Sequence, residues 1–310
     1  MKTENLIIIG SGPAGYTAAL YASREGFEPL LISGFNRGGQ LMLTGIIDNY
    51  PGFPEGIDGP KLMELMRAQA ARFGTRFIDD DVTDIDLKKR PFEVSVGDQR
   101  YHAESVIIST GASAQWLGLE SEKRLIGRGV SSCGTCDGPL FKGKDVVVVG
   151  GGDTAMEDSL FIAKFARSVT IIHRRDKFRA SKIMQDRVLS HERIKVVWNS
   201  AVEEVLGTDR VTGARIKDMI TGKSGELKAD GLFVAIGHTP NTGFLKGKLE
   251  LDARGYIVTN EEVKTEIEGV FAAGDVVDHV YRQAVSAAGS GAKAALEVRA
   301  YLQRMSKKQA

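Results

Sequence analysis

Two glycine-rich turns, each between an aliphatic strand and a helix, constrain the fold of this chain more than any other feature. The first reads Gly10-Ser-Gly-Pro-Ala-Gly after Leu-Ile-Ile-Ile, and the second reads Gly150-Gly-Gly-Asp-Thr-Ala after four valines. In such a turn the first glycine allows the tight bend, the second lets the backbone approach a pyrophosphate, and the third position lets helix and strand pack closely. Each half of the chain is therefore predicted to begin as a dinucleotide-binding β-α-β unit.

The remainder of each half follows one plan. Residues 82–103 contain segments that alternate in hydrophobicity like antiparallel strands, and a second strand-rich stretch spans about 196–232. A buried strand then closes each half before a glycine, at 106–110 and at 232–236. A chain of 310 residues suits two domains. The predicted fold class is α/β, with two Rossmann-like domains, each carrying an antiparallel β insertion.

Composition excludes several classes of partner. The chain has 41 basic and 40 acidic residues and a net charge of +1, which gives no electrostatic footprint for nucleic acid or for a membrane surface. No apolar run approaches the roughly 20 residues of a membrane span. The N-terminal segment runs straight into the first strand and lacks a signal-peptide core. We therefore expect a cytoplasmic protein that binds neither nucleic acid nor membrane.

Ribose recognition is expected to differ between the two turns. The dinucleotide fingerprint usually has an acidic residue about 20 positions on, but the second strand of the first half ends at Ser33. The second half has His173, Arg174 and Arg175 at that position, with Arg179 one turn later. Guanidinium groups there favour the 2′-phosphate of NADP over the ribose hydroxyl of NAD. The alternatives are a glycine turn without a ligand and a basic turn that is only solvated.

Cys133 and Cys136 are the only cysteines of the chain and lie between the two fingerprints. In a reducing compartment a C-x-x-C pair indicates redox chemistry or metal binding more than a structural staple. Zinc would require two further ligands at suitable spacing, and the five histidines offer no H-x₃₋₅-H pair, so no metal is expected. Two inert core cysteines are the remaining alternative. Asp137 is a candidate acid or base for the thiols, or only a charge at a turn.

Taken together and in order, these motifs resemble the low-molecular-weight, bacterial and archaeal type of thioredoxin reductase in the pyridine nucleotide-disulfide oxidoreductase family. The resemblance covers essentially the whole chain. Its motifs are Gly10-Ser-Gly-Pro-Ala-Gly15, Cys133-Gly-Thr-Cys136-Asp137, Gly150-Gly-Gly152, His173-Arg-Arg175 with Arg179, and Gly274-Asp275. The Gly-Thr spacer of the dithiol, where Ala-Thr is common, departs from the family pattern.

The resemblance implies a domain organisation and a reaction. An FAD-binding domain would comprise residues 1–115 and 246–310, and an NADPH-binding domain with the dithiol would comprise residues 116–245. Hydride would pass from NADPH to FAD and then to the dithiol. Cys136 would face the flavin, Cys133 would attack the disulfide of thioredoxin or of a similar small dithiol protein, and Asp137 would act as acid and base. The family also implies a homodimer.

The resemblance further implies two sets of cofactor contacts. Those for FAD are Gly10, Gly12, Pro13, Ala14, Gly15, Ser33, Gly39, Gln40, Asn49, Thr110, Gly111, Gly274, Asp275, Arg282, Gln283 and Ala284. Those for NADPH are Gly150, Gly152, Asp153, Thr154, Ala155, His173, Arg174, Arg175, Arg179, Ile236 and Gly237.

Three alternative functions stay open from the sequence. The chain could reduce another small dithiol protein instead of thioredoxin. A ferredoxin–NADP reductase-like flavoprotein is a second alternative, but it would need no catalytic dithiol. A nucleotide-sensing module would bind FAD or NADPH without turnover, and a dithiol between two nucleotide sites is poorly explained by that function.

Overall fold

A computed structural model describes residues 3–309, with side chains up to residue 307. The chain divides into two compact units. The first contains the residues up to Ile46, Tyr50–Ser113, and the residues from Thr239 onward. The second contains Ile47–Asn49 and Ala114–His238. The chain therefore leaves the first unit, builds most of the second, and returns.

The elements are numbered in chain order through both units. The strands are β1 Thr3–Ile9, β2 Leu30–Ile32, β3 Ile46–Ile47, β4 Ile57–Asp58, β5 Arg76–Ile78, β6 Asp84–Asp86, β7 Phe92–Val96, β8 Gln99–Ile108, β9 Ala112–Ala114, β10 Val130–Ser131, β11 Asp145–Gly150, β12 Ser168–Ile172, β13 Ile194–Val197, β14 Ser200–Leu206, β15 Gly213–Asp218, β16 Ser224–Lys228, β17 Gly231–Ala235, β18 His238–Pro240 and β19 Val270–Ala272. The α-helices are α1 Pro13–Arg24, α2 Gly59–Arg72, α3 Glu120–Leu125, α4 Gly134–Asp137, α5 Asp153–Ile162, α6 Lys182–Leu189 and α7 Ala284–Gln309.

The main sheet of the first unit is centred on β8. Its strand order is β5-β2-β1-β8-β7-β6, and β19 also pairs with β8. The pairs β1–β2, β1–β8, β2–β5 and β8–β19 are parallel, whereas β6–β7 and β7–β8 are antiparallel. The aliphatic side chains of β1 and β8, such as Ile7 and Val106, are fully buried in the core of this unit. The antiparallel hairpin is thus an extension of a parallel nucleotide-binding sheet.

The second unit has a fully parallel sheet in the order β10-β17-β11-β12-β13. A separate antiparallel sheet follows it in the order β14-β15-β16. Parallel strands covered on both faces require continuous apolar sequence, and the four valines of β11 are all buried. The predicted fold class, α/β with two Rossmann-like domains that each carry an antiparallel β insertion, is therefore confirmed.

Two local features differ from what the sequence predicts. Residues 100–103 and 106–108 belong to the single strand β8, whereas the sequence predicts two strands, the second of them extending to residue 110. The intervening Ser105 is buried because its hydroxyl donates to the Asn5 carbonyl at 2.7 Å. Helix α6 was not predicted. Cys133 caps the one-turn helix α4, which contains Cys136 and continues into a 3-10 turn at Gly138–Phe141.

Candidate active site

The first glycine-rich turn combines close packing with one open position. Gly10 has φ +108°, and a Cβ added there would lie 2.3 Å from the Ser109 carbonyl oxygen. A Cβ at Gly15 would lie 2.0 Å from the Gly10 carbonyl oxygen. At Gly12, which caps α1 ahead of Pro13, an added Cβ would meet nothing within 4 Å. The space in front of Gly12 fits a pyrophosphate at the start of a helix.

Three neighbouring parallel strands deliver predicted FAD residues to one edge of the sheet in the first unit. Gly10 follows β1, Thr110 and Gly111 follow β8, and Gly274 follows β19. The Thr110 hydroxyl donates to the Asn241 carbonyl at 2.9 Å, and the Asn241 side-chain amide donates to the Thr110 carbonyl at 2.8 Å. Ligands of open α/β sheets bind at the carboxyl ends of the strands, so this edge is the candidate site.

The α1 side of the site is held together by close backbone approach. Gly274 has φ +80°, and its N–H donates to the Ser290 hydroxyl at 2.8 Å. A Cβ at Gly274 would lie 2.8 Å from the Cβ of Ala14. A Cβ at Gly291 of α7 would lie 2.1 Å from the Ala14 carbonyl oxygen. Helix α1 can therefore approach the turn after β19 and helix α7 this closely only because Gly274 and Gly291 carry no side chain.

Ser11, which is not among the residues predicted from the sequence, links the first turn to the loop after β2. Its hydroxyl donates to the Ser33 carbonyl at 2.8 Å and accepts from the Gly38 N–H at 2.9 Å. Gly39 then begins a 3-10 turn, and a Cβ added there would lie 3.6 Å from the Gly12 Cα. The loop therefore lies against the open position of the fingerprint. A serine inside the G-x-G motif was the available signal.

The acidic residue missing after β2 has a counterpart after the next strand, β5. The Ser33 hydroxyl donates to Asp79 at 2.9 Å, and Arg67 and Arg37 also bond this carboxylate. Burial opposes ionisation of Asp79, but the hydrogen bonds from Arg67, Ser33 and Arg37 outweigh it and hold its pKa below the ordinary value. Asp79 therefore orders Ser33.

Asp278 orders the segment that leads into α7. Its carboxylate accepts hydrogen bonds from the backbone N–H groups of Val280, Tyr281 and Arg282 at 2.8, 2.8 and 3.2 Å. Arg282 has φ +49°, in the left-handed region that costs a side-chain-bearing residue energy. The three bonds to Asp278 offset that cost and fix the backbone just before Ala284, the first residue of α7.

The remaining predicted FAD residues come from two parts of the chain, one before β4 and one after β19. Gln40 is exposed in the 3-10 turn Gly39–Leu43, and Asn49 lies between β3 and β4. The Gln283 side-chain amide donates to the Tyr281 carbonyl at 3.1 Å. Asp275 is half-buried after β19. Burial, reinforced by Asp278, raises the pKa of Asp275 to about 7 against an opposing effect of Arg282.

The second glycine-rich turn repeats the geometry of the first. A Cβ at Gly150 would lie 2.4 Å from the Ala235 carbonyl oxygen and 2.7 Å from the Cβ of Ala155, so β11, β17 and α5 approach closely. Gly152 caps α5, and a Cβ there would meet nothing within 4 Å. Asp153 and Thr154 are the first two residues of α5. This turn also fits a pyrophosphate.

The basic cluster separates into exposed and buried members. Arg174, Arg175 and Arg179 are exposed, and within residues 3–309 none of them forms an ion pair with a carboxylate. Three unpaired guanidinium groups beside an open glycine turn fit an added phosphate. His173 is buried, with Nε2 2.9 Å from the Lys177 carbonyl oxygen. Burial lowers the pKa of His173, although hydrogen bonds to Lys177 and Gly150 oppose the shift.

Cys133 and Cys136 form a disulfide across the first turn of α4. Cys133 occupies the N-cap position, and its Sγ accepts a hydrogen bond from the Cys136 N–H at 3.2 Å and lies 3.4 Å from the Thr135 hydroxyl. The Ser131 hydroxyl accepts from the Cys133 N–H at 3.1 Å. A Cβ at Gly134 would lie 2.5 Å from the Asp158 carboxylate, so only glycine fits there against α5.

Asp137 is held where a carboxyl group is difficult to ionise. Burial raises its pKa above the ordinary value, and a hydrogen bond with Ser131 opposes this shift in part. Its backbone N–H donates to the Cys133 carbonyl at 3.1 Å, which completes the single turn. A carboxyl group that keeps its proton closer to neutral pH is suited to proton transfer with a neighbouring thiol.

The dithiol and the second fingerprint share one edge of the parallel sheet in the second unit. Strand β10 leads into Cys133, its neighbour β17 leads into Ile236 and Gly237, and the next strand, β11, ends at Gly150. The Gly237 carbonyl accepts from the Gln115 N–H at 2.9 Å. The carboxyl edge that binds nucleotides in such sheets therefore also presents a disulfide.

Among residues 3–309 no three His, Cys, Asp or Glu side chains cluster in a way that could hold a metal ion. None of the helices described there combines the length and the apolar content that a membrane span needs.

Two Rossmann-like units, one with a disulfide at its nucleotide edge, define a class of two-nucleotide disulfide oxidoreductases. Residues 4–291 match the family described as pyridine nucleotide-disulphide oxidoreductase, and the chain belongs to this family. Membership implies that it binds a flavin and a pyridine nucleotide.

Individual relatives match over nearly their whole length. The chain is 53% identical over 302 residues to a thioredoxin reductase of Streptomyces clavuligerus, covering 96% of this chain and 94% of that protein. It is 50% identical over 307 residues to a thioredoxin reductase of Rickettsia felis, covering 97% and 99%. The solved thioredoxin reductase of Giardia duodenalis has a TM-score of 0.93 at 42% identity, covering 98% of this chain and 100% of that one.

Proposed function

We propose that this protein is an NADPH-dependent FAD enzyme that reduces the disulfide of thioredoxin. The observation that carries the proposal is the Cys133–Cys136 disulfide at the nucleotide-binding edge of the second unit. A two-residue spacer in a short helix suits a disulfide that is reduced and re-formed in each cycle. Relatives named thioredoxin reductase over nearly the whole chain support thioredoxin as the partner.

The two nucleotides are assigned to different parts of the chain. The domain of residues 1–115 and 246–310 binds FAD through the Gly10–Gly15 turn, the Ser33–Gln40 loop and the ends of β8 and β19. The domain of residues 116–245 binds NADPH, because three unpaired arginines flank its fingerprint and a 2′-phosphate would complete them. A homodimer stays a prediction from the family resemblance, and a cytoplasmic location stays a prediction from the sequence.

A bound flavin supplies two-electron chemistry between a reduced nicotinamide and a disulfide. The cystine of this chain takes up two electrons and two protons and becomes a dithiol. The Cys133 thiolate attacks one sulfur of thioredoxin's disulfide, and thioredoxin's other sulfur leaves and takes a proton. The Cys136 thiolate then attacks the Cys133 sulfur, which re-forms the disulfide and releases the second thiol of thioredoxin.

The surroundings of the dithiol support these separate roles. The N–H of Cys136 and the hydroxyl of Thr135 both approach the Cys133 sulfur, and donors of this kind stabilise a thiolate. Asp137, whose pKa is raised by burial, holds a proton for a departing thiolate and takes it back when the thiols are oxidised.

The test is a coupled assay with the purified flavin-loaded protein. NADPH oxidation is followed with thioredoxin and an artificial disulfide, and NADH is assayed in parallel. We expect thioredoxin-dependent turnover that strongly prefers NADPH. Flavin reduction by NADPH without thioredoxin-dependent turnover would contradict the choice of partner and would favour a different small dithiol protein.

The NADPH assignment is tested by replacing two guanidinium groups. Arg174→Ala with Arg175→Ala should raise the KM for NADPH, because each charge-assisted contact with the 2′-phosphate contributes about 1.5–3 kcal/mol. The KM for NADH should change little. Arg210→Ala with Lys223→Ala removes the same charge from exposed turns of the second unit and serves as the control. An unchanged NADPH/NADH preference in the first double variant would show a merely solvated basic turn.

A further inference from the structure

The loop between β12 and α6, residues 173–181, carries Arg174, Arg175 and Arg179 and is called the arginine loop below. Hydrogen bonds join it to the second glycine-rich turn. The Gly151 carbonyl accepts hydrogen bonds from the Arg179 N–H at 2.7 Å and from the Ala180 N–H at 3.2 Å. A single carbonyl in the middle of the fingerprint therefore holds the backbone of the loop at its far end. This contact joins segments nearly thirty residues apart and lies outside the regular helices and strands.

Asp153 adds a second connection, two residues after Gly151 and one residue after Ala180. Its carboxylate accepts from the Ser181 N–H at 2.9 Å and from the Ser181 hydroxyl at 2.8 Å. Ser181 occupies the N-cap position of α6. The backbone and hydroxyl bonds from Ser181 hold the pKa of Asp153 below its ordinary value, so the carboxylate is charged at neutral pH. Its acceptor oxygen is thus bonded to the end of the arginine loop.

His173 supports the loop from the core side. A Cβ at Gly151 would lie 2.2 Å from the imidazole ring, so ring and turn are in direct contact. The same ring packs against Phe178 and Trp198, with centroid distances of 5.4 and 6.1 Å. The imidazole is therefore enclosed by protein groups and spans the first half of the loop through its bond with the Lys177 carbonyl.

We propose that Asp153 and Ser181 form a latch that positions Arg174, Arg175 and Arg179 over the second fingerprint and so sets the preference for a 2′-phosphate. Asp153 is then a positioning residue, although the sequence motif suggested a direct NADPH contact. The inference rests on the proposed NADPH site and names the two residues that hold the arginine loop of that site rigid. Because guanidinium side chains are flexible, their backbone must be fixed before a phosphate can be held by several of them at once.

The latch is tested by nucleotide binding to the purified holoenzyme, with Ser181→Ala and Asp153→Ala as variants. Calorimetry compares adenosine 2′,5′-bisphosphate with 5′-AMP, which lacks the 2′-phosphate. We expect the affinity for the bisphosphate to fall about 3- to 10-fold in Ser181→Ala and further in Asp153→Ala, with a smaller fall for 5′-AMP. Ser190→Ala is the matched control, since its hydroxyl donates to the Asp186 carbonyl at the other end of α6.

Hydrogen exchange without added nucleotide gives a second readout. The N–H groups of Arg179, Ala180 and Ser181 should be protected in the parent protein and should exchange faster in both latch variants. Variants that keep the parental ratio of bisphosphate to 5′-AMP affinity would overturn the latch and leave the NADPH site intact. A parent protein without any preference for the bisphosphate would overturn the NADPH assignment and the latch together. If Asp153→Ala does not fold, Ser181→Ala decides alone.

Discussion

At the scale of single residues, the two cysteines of the disulfide differ in the hydrogen-bonding groups around their sulfur atoms. The Cys133 sulfur has a backbone donor and a hydroxyl within hydrogen-bonding distance, and both belong to the helix that it caps. Such donors lower the pKa of a thiol, and the thiolate is the form that attacks a disulfide. Cys133 is therefore suited to the outward attack and Cys136 to resolving the mixed disulfide.

Replacing Cys136 separates flavin binding from disulfide chemistry. Cys136→Ser should keep bound flavin, measured by its visible absorbance, because Cys136 is not among the residues predicted to hold FAD. Thioredoxin-dependent NADPH oxidation should be lost, since one thiol cannot resolve a mixed disulfide. Spectra and turnover are measured on the same preparation. Normal reductase turnover in this variant would refute the dithiol relay.

Turnover should fall at high pH as Asp137 loses its proton, and this fall is the limb of the pH profile that Asp137 controls. Its pKa is raised, so the protonated acid persists above the ordinary carboxyl range and is lost as the pH rises through the raised pKa. Asp137→Asn should lower kcat about 10²- to 10⁴-fold and remove this limb from the pH profile. Asp209→Asn, an exposed carboxylate of the second unit, is the control. An unshifted profile in Asp137→Asn would assign the proton transfer to another group or to water.

At the scale of elements, the turn before α7 depends on one carboxylate. Asp278→Ala removes three backbone hydrogen bonds and releases the strained backbone at Arg282. At about 0.5–1.5 kcal/mol per bond, flavin affinity should fall at least tenfold. Flavin fluorescence on dilution measures the change. Asp252→Ala is the control, because Asp252 accepts from the N–H groups of Arg254 and Tyr256 in a comparable turn. Equal flavin loss in both variants would indicate only general destabilisation.

The elements that sequence could predict are those whose signal is local. The strand, glycine turn and helix of each fingerprint follow one another directly, from Thr3 to Arg24 and from Asp145 to Ile162, so apolar runs and glycines identify them. The single strand β8 could not be predicted, because Glu104 and Ser105 interrupt its apolar pattern and the Asn5 carbonyl that satisfies Ser105 is distant in sequence. Helix α6 was missed because it is only eight residues long and Val188 is its one buried residue.

The same distinction applies to the candidate site. The motif glycines and the two cysteines can be recognised from the sequence alone, because their spacing along the chain is the signal. Asp278 and Ser181 could not be singled out, because each acts through a hydrogen bond whose partner only the fold specifies. Ser11 had a signal in its position inside the G-x-G motif, but its bond to the Ser33 carbonyl is visible only in the fold. The buried ring of His173 shows the converse case, since its motif position suggested a ligand contact and its surroundings show packing against Gly151.

At the scale of the whole molecule, Asp275 couples stability to pH in the flavin-free protein. Its folded pKa, about 7, is raised above the ordinary value of 3.8 by burial and by Asp278. The folded state therefore binds the extra proton, and the free energy of unfolding should fall as the pH rises from about 4 to about 7. Asp275→Asn should flatten this dependence. Denaturant titrations of both flavin-free proteins across this range make the measurement, and parallel pH curves would contradict the assignment.

The placement of β19 has a consequence for synthesis on the ribosome. The sheet of the first unit needs β19 against β8, yet β19 begins at Val270, after the whole inserted unit. At about 5–20 residues per second, the β8 edge stays uncovered in the nascent chain for on the order of ten seconds. The inserted unit can fold meanwhile, because all of its strands have already emerged. An uncovered apolar edge invites aggregation, so chaperone demand should peak before β19 and the last forty or so residues are made.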